Sequence, residues 1–167
     1  MYNHTHILAT PGRTGALSQM MQWLGARFVN GVNGTVGRTG SLWESRFWSS
    51  AVTTEAYVMI CHRYIELNPV RAGIVADPVQ YPWSSHQHNA LGLADRMLAA
   101  HDCYQRLAST HAERCRAYRA LFATAVPDSE VERIREALNG RRWLGDAPPD
   151  AGHLGRGRPR RIPPKRP

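Results

Sequence analysis

Apolar positions recur along this 167-residue chain at two periods, one suited to strands and one to helices. Residues 1–10, MYNHTHILAT, carry β-prone character in Tyr2, Ile7 and Leu8 and predict a strand. Strand side chains alternate, so His4 and His6 share one face. Pro11, Gly12 and Gly15 form a turn around Arg13. Leu17, Met20, Met21, Leu24 and Phe28 follow at i, i+3, i+4, i+7 and i+11, which predicts a helix. Residues 30–40 hold four glycines and two asparagines, a loop composition. Residues 41–53, SLWESRFWSSAVT, are β-prone through Trp43, Phe47 and Trp48 and predict a strand or a short hairpin arm. Helical spacing returns with Tyr57, Ile60, Cys61, Tyr64 and Leu67. Thr53 or Thr54 can cap that helix, Glu55 suits its positive end, and Pro69 predicts its stop near Asn68.

The following stretch, with Trp83, Ser84 and Ser85, reads as irregular chain packed on the domain. Three further helices are predicted over 94–106, 112–125 and 128–138, the last capped by Asp128 or Ser129 and stopped by Gly140. From Asp146 the composition turns to Pro, Gly and Arg, and disorder is expected. The chain thus divides into 1–90, a helical region over 91–145 and a basic tail over 146–167.

Charge narrows the function classes. With 21 basic and 13 acidic residues the formal net charge is +8, which favours an anionic partner, most simply nucleic acid. Six basic residues and no acidic ones lie beyond residue 155, which implies salt-sensitive DNA binding. Within that tail Arg156, Arg158, Arg160 and Arg161 include an Arg-Gly-Arg-Pro run that resembles the core of an AT-hook, a minor-groove binder. Cys61, Cys103 and Cys115 form no CxxC and no disulfide framework, which points to a reducing cytoplasm. No run is apolar enough to span a membrane, and the first residues lack the layout of a signal peptide.

Two candidate groups carry chemistry. Asn68 lies four residues after Tyr64, beside it on one helix face. A phenol beside an amide is either plain core or a nucleophile beside a metal ligand. His4 and His6, at i and i+2, can aim two imidazoles at one cation. Two histidines and an amide oxygen leave open positions on a divalent ion, as a Lewis acid acting on a phosphoryl oxygen requires, and a nearby tyrosine could attack the phosphorus. No Gly-rich phosphate loop, GxSxG or HExxH competes. Arg46 and Arg71 are candidate phosphate contacts. Trp43 and Trp48 could stack on bases, but core packing is the expected role for at least one of them. Glu44 and Glu66 read as ion-pair partners of the arginines, and His62 as a solvated residue on the polar helix face.

His4-Thr5-His6, Leu42-Trp43-Glu44-Ser45-Arg46-Phe47, the run YIELNPVRAG over 64–73 and Trp83-Ser84-Ser85 together resemble the REP-associated tyrosine transposases. These are bacterial single-tyrosine members of the HUH class. The resemblance covers roughly residues 1–90. It implies an α+β, ferredoxin-like HUH fold with the histidines on a central strand and the tyrosine on a flanking helix. It implies cleavage and rejoining of single-stranded DNA at hairpins or repeats through a 5′-phosphotyrosine. Tyr64 would be the nucleophile, and His4, His6 and Asn68 would hold Mg²⁺ or Mn²⁺. A nucleoid-associated cytoplasmic protein is expected, and a homodimer is possible as in some relatives. In the family a strand and a helix precede the HxH strand, whereas this chain begins three residues before His4. The expectation is therefore an HUH fold without its first strand and helix. Its rivals are a truncated, non-catalytic DNA-binding remnant and a metal-binding or structural protein in which the histidines are unrelated to Tyr64.

Overall fold

The computed structural model describes residues 4–140 and 142–147. Among the described residues seven α-helices form: α1 (Ala16–Val36), α2 (Glu55–Glu66), α3 (Asn68–Arg71), α4 (His86–Leu91), α5 (Asp102–Gln105), α6 (His111–Ala120) and α7 (Asp128–Gly140). No sheet forms among the described residues, and the ferredoxin-like expectation is overturned. β-pairing amounts to an isolated parallel bridge, Val52 with Leu144. The physical reason is pairing. A strand needs a neighbour for its N–H and C=O groups, and a lone one is not stable. The segments around His4–His6 and over 41–50 find none among the described residues and run as irregular chain.

The first helix also departs from expectation. It runs through Gly31 and Gly34 to Val36, although each internal glycine costs about 1 kcal/mol against alanine. Local bonds offset part of this. Thr35 Oγ1 donates to the Gly31 carbonyl (2.9 Å) and Asn33 Nδ2 to the Gly40 carbonyl (2.9 Å). Gly37, at φ 68°, ends the helix by donating its N–H to the Asn33 carbonyl.

Helix α2 is the organising element, and it is covered on two sides. Towards α7, Cys61 and Tyr64 join Val126, Val131, Ile134, Ala137 and Leu144 in one core, with Leu8, Val52, Tyr57 and Ile60 packed around it. Towards α4, α5 and α6, Met59 meets a second core of Ala90, Tyr104 and Tyr118. A capping box of Thr110 and Glu113 starts α6, with the Thr110 side chain accepting from the Glu113 N–H. Residues 142–146 return to the start of α2, where the Thr53 hydroxyl lies 2.9 Å from both the Leu144 and the Asp146 carbonyls, with one proton to donate between them. Gly145, at φ 101°, permits that turn where a Cβ would fall 2.6 Å from Thr53 Oγ1.

Pro69 does not simply stop the helix. The chain turns at Leu67, and Pro69 then sits in the first turn of α3, where its missing N–H costs nothing. Of 94–106, only Asp102–Gln105 is α-helical. Conversely, α4 forms from residues 86–91, beyond the stretch expected to be irregular.

Candidate functional site

Leu8 packs against the α2–α7 core and so anchors the N-terminal segment beside α2. The His6 ring consequently lies edge-on to Tyr64, with centroids 5.6 Å apart, and His4 lies edge-on to His6 at 5.0 Å. From the other direction, the short helix α3 brings Arg71 back over the last turn of α2. Its guanidinium carbon is 4.5 Å from the Tyr64 ring centroid. Its Nη2 donates to the Tyr64 carbonyl at 2.6 Å, satisfying an acceptor at a helix end. Tyr64 itself is buried. Residues 4, 6, 64 and 71 therefore form one cluster without any strand to carry the histidines.

The electrostatics follow from that packing. Burial, with the neighbouring His4 and Arg71 adding to it, pulls His6 down to a pKa of about 4. The imidazole is thus neutral near pH 7. Its Nε2 is buried with no hydrogen-bond partner, the condition of a donor atom able to accept a cation. Burial also lowers the Arg71 pKa, with Tyr64 opposing the shift and Arg135 adding to it.

Asn68 begins α3, four residues beyond Tyr64, and is half-buried. Among the described residues no group of three His, Cys, Asp or Glu side chains is gathered to hold a metal, so the amide of Asn68 is the third donor to consider. In kind, the set fits a divalent cation. Arg46 is exposed in the segment after α1 and is not the arginine that covers Tyr64. Trp43 and Trp48 are both exposed, against the expectation that one of them packs in the core. Arg156, Arg158, Arg160 and Arg161 lie outside the described residues.

Two readings of α2 are corrected. Glu66 pairs with no arginine: it is fully buried, accepting from Ser85 Oγ (2.6 Å) and Asn89 Nδ2 (3.0 Å), with His86 Nδ1 at 2.8 Å. The Tyr118 hydroxyl approaches the same carboxylate without a well-formed hydrogen bond, and burial drives its pKa up. His62 is half-buried rather than on an open polar face: burial lowers its pKa, and its ring stands edge-on to Tyr118 at 6.1 Å. The signal for both was legible in part, because Met59, His62 and Glu66 share a face at i, i+3 and i+7. That face looks like a water-facing side until α4–α6 cover it.

An open cleft lies about two turns before Tyr64, lined by Tyr57, Arg133, Ala137, Arg142, Trp143 and Leu144. It is lined by none of His4, His6, Arg46, Tyr64, Asn68 and Arg71. Among the described residues no helix is long and apolar enough to cross a membrane. No family model, curated protein or solved structure matches the chain.

Proposed function

We propose that this chain cleaves and rejoins single-stranded DNA through Tyr64. The observation that supports this most is the convergence of His4, His6 and Arg71 on Tyr64 across some sixty residues of sequence. The resemblance of HxH, WExRF and YIELNPVRAG to the REP-associated tyrosine transposases supplies the reaction class. The sheet of that class is not part of the proposal.

In this reading the Tyr64 oxygen forms a bond to phosphorus and loses its proton. The bond from phosphorus to the 3′-oxygen breaks, and that oxygen takes up a proton. The products are a 5′-phosphotyrosine and a free 3′-hydroxyl. Reversal by a second 3′-hydroxyl rejoins the strand without a nucleotide cofactor. Arg71 holds a phosphate beside the phenol. His6 enters as a neutral imidazole, ready to coordinate. His4, His6 and Asn68 would hold a divalent ion, Mg²⁺ or Mn²⁺, which would supply Lewis-acid polarisation of the phosphoryl oxygen. Arg46 and the four tail arginines add sequence-independent affinity.

Burial of Tyr64 beneath Arg71 favours a second reading, in which the chain binds DNA and does not cut it. A denaturing gel separates the two. Labelled hairpin single strand with Mn²⁺ is expected to give a covalent band with the native chain and none with Tyr64→Phe. Salt-sensitive binding with no band in either protein selects the second reading. No salt-sensitive binding refutes both.

A further inference from the structure

Helix α1 buries none of its 21 residues. Met20, Trp23, Leu24 and Phe28 are all exposed, and Trp43, Phe47 and Trp48 are exposed in the segment behind it. The rings are not loose. Trp43 Nε1 donates to the Gly25 carbonyl at 3.4 Å, and the indole lies where a Cβ on residue 25 would come within 3.3 Å of that nitrogen. Phe28 tilts against Trp43 with centroids 5.4 Å apart. One turn earlier, the Arg27 guanidinium sits 5.0 Å over the Trp23 ring.

The charge on this surface is predominantly positive: the segment from Trp43 to Trp48 carries one acid, Glu44, beside Arg46. Residues 1–43 contain Arg13, Arg27 and Arg38 and neither Asp nor Glu. An interface between two copies would bring these cations together, and an acidic partner groove would have no aromatic requirement. Flat aromatic faces interleaved with cations suit unpaired bases on a phosphate chain, which offer a π-face and a negative charge at each step.

We infer that α1 and the segment from Trp43 to Trp48 form a platform on which unpaired bases of single-stranded DNA stack, with Trp23, Phe28 and Trp43 as the rings and Arg27 as the cation. This rests on the DNA reading above and adds where the strand lies outside the Tyr64 cluster. Duplex DNA hides its base faces and is not a ligand of this platform.

The test titrates the full chain with a short oligo-dT strand, the matching duplex and anionic lipid vesicles, following tryptophan fluorescence. The native chain is expected to show quenching by the single strand. Trp23→Ala and Phe28→Ala are each expected to weaken that binding roughly 5- to 150-fold, with Trp23→Phe largely restoring it. Both side chains are exposed, so circular dichroism and the melting temperature should not change. Unchanged single-strand affinity in Trp23→Ala/Phe28→Ala overturns the inference, as does equal weakening for duplex or a preference for vesicles. So does a native dimer that the double variant converts to monomer at unaltered DNA affinity. The covalent-band assay is read separately on saturating DNA. A band that survives the double variant, with affinity unchanged, removes the platform and leaves the Tyr64 reading standing. Weakened single-strand affinity with no band in the native chain does the reverse.

Discussion

Replacing Glu66 gives the sharpest test of how the Tyr64 helix is held. The carboxylate is fully buried and bonded to Ser85 and Asn89, with His86 Nδ1 at 2.8 Å. Glu66→Leu fills similar space but leaves three polar groups in the α4 region without an acceptor. Each unsatisfied buried group costs about 1–3 kcal/mol. Removing the buried charge returns part of this, since burying a carboxylate carries a penalty of several kcal/mol. Loss of one member of a buried pair typically costs about 3–5 kcal/mol, so a net loss of about 2–5 kcal/mol is expected. Glu66→Gln keeps an oxygen for Ser85 and Asn89 and turns an amide toward His86, whose ring can present a lone pair. Its cost should stay below about 1.5 kcal/mol. Urea unfolding, followed by circular dichroism, measures both. A Leu variant within about 0.5 kcal/mol of the native chain, or a Gln variant as damaged as the Leu one, would refute the reasoning.

Three further outcomes are expected. Ile134, at 3% exposure in the α2–α7 core, should lose about 2–4 kcal/mol on truncation to Ala, read by the same unfolding curves. Burial lowers the His62 pKa below its ordinary 6.5. The unfolded chain then binds the extra proton first, so stability should fall as pH drops below about 6.5 and level off beneath the folded value. Thermal melts across that range should be flatter in His62→Gln, and an identical pH slope would remove His62 as the cause. Burial raises the Cys61 thiol to about 11, so N-ethylmaleimide at neutral pH should label it only as fast as the chain unfolds. Rapid labelling of Cys61 in folded protein, seen by peptide mass spectrometry, would contradict the packing.

Local rules placed the helices that need only local information. The spacing of Tyr57, Ile60, Cys61 and Tyr64 marked α2, and Asp128 with Gly140 bounded α7, because helical hydrogen bonds and caps close within a few residues. The same spacing put Asn68 on the Tyr64 helix, whereas the chain turns at Leu67 and Asn68 opens α3; the motifs singled out His4 and His6. What the sequence could not determine was pairing between distant segments. Residues 4–8 have strand-like composition, yet a strand exists only where a second one lies alongside. Here Leu8 docks into a helical core instead, and that contact carries His6 to Tyr64. Glu66 and His62 show the same limit from the other side. Helical periodicity put them on a polar face, and only the packing of α4 and α6 against that face decided that Glu66 would be buried and hydrogen-bonded and His62 half-buried against Tyr118.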